Sequence, residues 1–232
     1  MQRILVTGAS RGIGLEFVRQ YVEQGARIFA TCRQPATGRE LSALAEQAGE
    51  RLAVLRMDVT RVGEVAFVAQ GVAEETDALD LLINNAGASA RGEQVANLDP
   101  ATMLGIFHLN AVAPMIVARE FLPLLSKGAT PKIVNISSTM GSLAGKKSGG
   151  HYSYCSSKAA LNMLTRALAH DLREAGIGVY ALHPGWVKTD MGGKYADIAP
   201  EASVRAMRNT IAELDLGQSG GFFTWEGEVH PW

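Results

Sequence analysis

A chain of 232 residues, 47% apolar and with a formal net charge of -1, is long enough for one buried core and lacks the basic excess that nucleic acid or an anionic membrane surface would need. Its two cysteines, Cys32 and Cys155, have no metal-ligand spacing, so neither a disulfide framework nor a bound metal is expected. No apolar segment reads as long enough to span a bilayer, and the first residues enter a strand rather than a charged leader with an apolar signal core; the expected location is cytoplasmic.

In chain order, residues 1–7 form a short β-branched strand. Gly8-Ala9-Ser10-Arg11-Gly12-Ile13-Gly14 follows as a turn, and from Leu15 to Val22 apolar residues recur at helical spacing. Glycines between a strand and a helix let the backbone turn sharply and let a pyrophosphate approach free N–H groups at the helix N-terminus, where the dipole favours anions. Further strands are predicted at 27–31, 52–57, 79–83, 132–136, 178–182 and 221–225, with helical stretches between them. This alternation predicts an α/β fold: a single Rossmann-type domain over 1–232 with a doubly wound parallel sheet. Ligands bind such a sheet at the C-terminal ends of its strands. Gly8, Asp58, Asn85, Ser138 and Pro184 each fall just past a predicted strand and so should converge there.

Tyr154 and Lys158 stand one helical turn apart, which puts a phenol and an ammonium on one face. A fixed cation lowers a phenol's pKa from its usual ~10 and makes it usable as acid or base. Tyr152 has Ser156, not a lysine, at the matching position and is read as a bystander. His151, His170 and His183 have no paired spacing and are read as structural or solvated.

Five segments occur together and in order: Thr7 to Gly14, Asn84-Asn85-Ala86-Gly87, Asn135-Ile136-Ser137-Ser138, Tyr154 to Lys158, and Pro184-Gly185. In this the whole chain resembles the short-chain dehydrogenase/reductase superfamily. The stretch from His183 to Gly193 is most similar to sniffer-type carbonyl reductases and C-factor-like proteins. The resemblance implies NADPH-dependent reduction of a small-molecule carbonyl, with Tyr154 as proton donor, Lys158 beside it, Ser138 hydrogen-bonded to the developing alkoxide and Asn110 anchoring a water in the proton relay. Ser137 is the neighbouring competitor for the serine role. The implied cofactor contacts are Gly8, Ser10, Arg11, Gly12, Ile13, Gly14, Asp58, Val59, Asn85, Ala86, Gly87, Tyr154, Lys158, Pro184, Gly185, Val187 and Thr189. Residues 191–200 correspond to the substrate lid and read as short, mobile and poor in apolar material.

Cofactor choice turns on the end of the second strand. An acidic residue there would favour NAD; this chain has Arg33, which with Arg11 suits the 2′-phosphate of NADP(H). Two readings stay open beside the reductase: a C-factor-like cofactor-binding signalling protein with weak activity, and an NAD-dependent alcohol dehydrogenase. Apolar residues spread beyond one stripe on the helices near 101–125 and 157–172 point to a homodimer, with a tetramer as the next possibility.

Overall fold

The computed structural model describes the backbone of residues 1–232 and every side chain except that of Thr37. Seven strands alternate with helices: β1 Arg3–Thr7, β2 Arg27–Cys32, β3 Leu52–Arg56, β4 Leu81–Asn84, β5 Lys132–Ile136, β6 Gly178–His183 and β7 Phe222–Thr224. They form one sheet in the order β3-β2-β1-β4-β5-β6-β7. Every pairing is parallel. The helices are α1 Gly12–Glu23, α2 Arg39–Ala48, α3 Val62–Glu75, α4 Pro100–Phe107, α5 Ala113–Leu125, α6 Tyr152–Asp171 and α7 Pro200–Glu213.

Alternate residues of each central strand feed opposite faces of the sheet. Ile4, Val6, Ile28 and Ala30 pack with α1, α2 and α7, whereas Leu5, Phe29 and Leu82 pack with α3, α5 and α6. Both faces are therefore dry, which is why the strands read as near-continuous apolar runs. The chain reverses its winding between β1 and β4, and that is where a doubly wound sheet opens its ligand crevice.

Most strands differ from expectation by one or two residues at an end. β4 starts at Leu81 rather than 79, because the Leu79 N–H is taken by the Leu124 carbonyl; it runs on through Asn84, which pairs with Asn135. β7 is trimmed to three residues at the sheet edge.

A larger correction concerns residues 100–125. A five-residue π-turn, His108–Val112, joins α4 to α5 into one helix of 26 residues, which by its length and an 18-residue window of mean hydropathy 1.6 could cross a membrane, contrary to the sequence expectation. The sequence reading placed a helix over 101–125, but Asn110 and the paired Arg119 and Glu120 keep it from being one continuous apolar run. The helix is part of the domain's own packing: Ala113, Val117, Ala118, Phe121 and Leu125 are buried against the sheet and α3.

Candidate active site

The glycine turn is built by close approach. Gly8 has φ +67°, and a Cβ on it would stand 2.8 Å from Ala86 Cα; one on Gly14 would stand 2.4 Å from the Gly8 carbonyl oxygen and from Asn85 Nδ2. Only glycine fits either place. Asn85 then holds the turn from the side. Its Nδ2 donates to the carbonyls of Thr7 and Gly8 at 2.9 and 3.1 Å, while the Thr7 hydroxyl oxygen accepts from the N–H groups of Asn85 and Ala86 at 3.0 and 3.1 Å. Asn85 thus shapes the phosphate turn itself.

A cleft of about 610 Å³ runs from this turn to the catalytic helix, lined by Gly8, Ser10, Arg11, Gly12, Ile13, Val59, Asn85, Ala86, Gly87, Tyr154, Lys158, Pro184 and Thr189 among others. Gly185 and Val187 are not among its lining residues. Val187 is 4% exposed and pairs with Ile198 through a backbone bridge, so its side chain stands behind the wall. The cleft opens at its far end into a second cavity of about 830 Å³, where Arg11 and Arg33 are joined by Arg39, Arg56 and Arg61 against only Glu40, Asp58 and Glu64. Sequence reasoning missed the last three arginines because they lie on α2, β3 and the loop after it, and meet only when the sheet twists. Asp58 accepts from the Thr60 N–H and hydroxyl at 3.0 and 2.7 Å. Burial alone pushes its carboxyl up, but these bonds, with Arg33 and Arg61 nearby, outweigh it and hold the group below the usual range.

At the other end, β5 delivers both serines of the Ser137-Ser138 pair, and their partners separate them. The Ser137 hydroxyl donates to Asn162 Oδ1 at 2.5 Å inside α6 and is committed there. Ser138 Oγ caps the following turn by accepting from the Met140 N–H at 3.2 Å, and its side chain is near enough to the Tyr154 phenol to pull the phenol's pKa down. Lys158 is 5% exposed; its Nζ donates to the Ile136 carbonyl at 2.7 Å and lies over the Tyr154 ring, 5.8 Å from the centroid.

The electrostatics correct the simple expectation. Burial pushes the Tyr154 phenol up; the Ser138 hydrogen bond pulls it back only in part, and Cys155 adds to the rise. Burial likewise lowers the Lys158 ammonium to about 8. Desolvation penalises both charged forms, so the cation does not by itself create a phenolate here.

Asn110 lies in the π-turn, fully buried. Its Oδ1 accepts from the Ala88 N–H at 2.9 Å, and its Nδ2 donates to the Ala88 carbonyl at 2.8 Å and to Ser157 Oγ at 3.0 Å; Ser157 donates in turn to the Tyr154 carbonyl at 2.8 Å. The side chain expected to serve a water relay thus clamps the loop after β4 to the catalytic helix. Glu93, unnoticed in the sequence, accepts from the Ser153 N–H at 2.9 Å and from its hydroxyl, capping α6 two residues into its first turn. His151, before that helix, is the one non-glycine residue with positive φ among the described residues, at 53°. Burial, with His230 nearby, lowers His183 to about 4, so it is neutral at ordinary pH.

The lid is less loose than its composition suggested. Trp186 Nε1 donates to the Gly192 carbonyl at 2.9 Å, and the Trp186 carbonyl accepts from the N–H groups of Asp197 and Ile198, both at 3.1 Å. Apolar surface is present too: Trp186, Met191 and Tyr195 are 51, 48 and 76% exposed.

The short chain dehydrogenase family model matches residues 2–199. The C-signal protein of Myxococcus xanthus is 44% identical over 157 residues, covering 68% of this chain and 95% of that protein. Among solved structures, the NADPH-bound carbonyl reductase from chicken fatty liver superposes with a TM-score of 0.95 at 39% identity, covering 100% of this chain and 99% of that one. The carbonyl reductase Sniffer of D. melanogaster does so at 0.96 and 33% over the whole of both chains. The chain belongs to the short-chain dehydrogenase family and is an oxidoreductase of that fold.

Proposed function

We propose that the protein reduces an aldehyde, ketone or quinone carbonyl to the alcohol with NADP(H). One observation carries this: the Tyr154 phenol and the Lys158 ammonium line one end of a continuous cleft, with Ser138 beside the phenol, and the other end is a glycine cradle followed by an arginine-rich cavity. The cradle fits a dinucleotide, since a Cβ at Gly8 or Gly14 would collide with backbone where the pyrophosphate must approach. The five arginines around the far cavity fit a 2′-phosphate better than a bare ribose. When bound, the cofactor supplies a hydride to the carbonyl carbon.

The chain's own residues handle the proton and the charge. Tyr154, kept protonated by burial, donates its phenolic proton to the carbonyl oxygen, and Ser138 hydrogen-bonds the same oxygen as negative charge develops on it. Lys158 keeps a cation beside the phenol and stabilises the phenolate left after transfer. Asn110 holds the loop after β4 against the helix that carries both.

The test is NADPH consumption over a panel of aldehydes, ketones, α-dicarbonyls and quinones, with NADH in parallel. Turnover should appear with NADPH, and Arg33→Ala should weaken NADPH much more than NADH. Equal affinities of the wild type for both cofactors would end the argument for NADP(H).

A further inference from the structure

Three loops meet at Asp190. Its carboxylate accepts from Arg11 Nη1 at 2.7 Å, reaching the glycine turn after β1. Its backbone carbonyl accepts from Arg91 Nη2 at 2.5 Å, on the loop after β4. Asp190 itself lies on the segment after β6, immediately before the lid. Behind it, a Cβ on Gly12 would stand 3.3 Å from Thr189 Cγ2, so this segment rests directly on the turn that fits the pyrophosphate.

The Arg11 and Asp190 side chains are 76 and 75% exposed, so core packing does not hold them in place. Both line the cleft that also contains Tyr154 and Lys158. Their ion pair therefore bridges the two walls of the cleft at its rim. Arg11 spends one N–H on Asp190, and a guanidinium has four more to offer an anion.

We propose that Arg11 and Asp190 form a clasp across the mouth of the cofactor cleft, one that opens for NADP(H) to enter or leave and so sets the rate of cofactor exchange. The proposal rests on the reading of this cleft as the NADP(H) site. It makes a prediction opposite in sign to simple charge repulsion. Removing a carboxylate near a polyanionic dinucleotide should slow its release if the carboxylate only repels it. If the carboxylate closes the rim, removing it should speed release.

The experiment loads wild type, Asp190→Asn and Asp190→Glu with NADPH and chases with excess NADP⁺, following NADPH fluorescence by stopped flow. Release should be about two- to fivefold faster in Asp190→Asn, the range an exposed ion pair supports. Asp190→Glu, which keeps the charge, should return most of the wild-type rate. The ratio of Asn variant to wild type should fall towards one as salt approaches about 1 M, where such pairs are screened. Unchanged or slower release from an Asp190→Asn protein that still binds NADPH would overturn the clasp and leave the cofactor site standing. Failure of the wild type to bind NADPH would overturn both.

Discussion

Lys158 Nζ lies over the face of the Tyr154 ring, 5.8 Å from its centroid, and its hydrogen bond goes to the Ile136 carbonyl instead of the phenol. The ammonium is thus buried against an aromatic face and a backbone dipole, with no anion paired to it, and its value falls to about 8 from 10.5.

A pH dependence of stability follows. Below pH 8 folded and unfolded chains both carry the proton, and the cost of burying it is fully present. Between about 8 and 10.5 the folded chain releases it while the unfolded chain keeps it, so the unfolded state binds more protons and stability rises with pH. Lys158→Met keeps the stem and removes the charge. In urea unfolding of the cofactor-free proteins, wild type should gain on Lys158→Met as pH is raised from 7 to 10. A difference that stays flat across that range would show that the ammonium titrates in the folded chain as it does in the unfolded one, so that burial does not lower it.

Tyr154→Phe removes only the hydroxyl beside Ser138. NADPH binding should survive while turnover falls by about 10²–10⁴-fold. Tyr152, 37% exposed and one residue into the helix, makes no comparable contact, and Tyr152→Phe should stay within about twofold of wild type. The reverse pattern in steady-state kinetics would place the proton donor on the wrong tyrosine.

Gly14→Ala should be costly out of proportion to one methyl group. Its Cβ would meet the Gly8 carbonyl oxygen and Asn85 Nδ2 at 2.4 Å, and the first is backbone that cannot move without reshaping the turn. Overpacking of this kind costs about 1–3 kcal/mol. Thermal unfolding should show the loss, and fluorescence titration should show NADPH affinity reduced further than the stability change explains. Wild-type values in both would mean that the turn is looser than its contacts imply.

Asn110→Ala separates two roles for that residue. It leaves the N–H and carbonyl of Ala88 without their partner and frees Ser157 from the π-turn. Orphaned buried groups cost about 1–3 kcal/mol each, so chemical denaturation should register a loss of at least about 2 kcal/mol. Unchanged stability with lost turnover would instead restore Asn110 to the proton relay alone.

The order of strands, the position of the glycine turn and the Tyr154 to Lys158 register were legible because each depends on local periodicity or spacing along one element. What stayed hidden depends on pairings across the sheet. Glu93 reaches Ser153 over 60 residues, and Arg56 and Arg61 join Arg11 only through the β1, β2 and β3 neighbourhood. The direction of the Tyr154 shift was misjudged for a related reason. Spacing shows that a cation is near, but burial, which here dominates, is a property of the assembled fold. The π-turn at His108–Val112 was illegible because its extra residue per turn is paid for by Asn110 and Ala88, which lie 22 residues apart.

The last expectation is a homodimer through the faces of α4, α5 and α6 turned away from the sheet. In the isolated chain Leu104 and Met163 are 71 and 69% exposed, and Phe107 and Val112 are 38 and 39% exposed. Leu104, Phe107 and Val112 lie along the continuous helix 100–125, and α4 packs on α6, which carries Met163, so the exposed apolar groups belong to adjoining surfaces. Leaving such a patch in water is unfavourable at roughly 25 cal/mol per Å² of apolar area, and a twofold contact would cover it on both copies at once. It would also put a second copy against the outer side of the helix that carries Tyr154 and Lys158. Light scattering at micromolar concentration should give twice the mass of one chain, and Leu104→Glu combined with Met163→Glu should reduce it to one. A wild type that remains at the mass of a single chain up to the highest accessible concentration would refute the dimer, whereas four chains would require a second contact elsewhere on the surface.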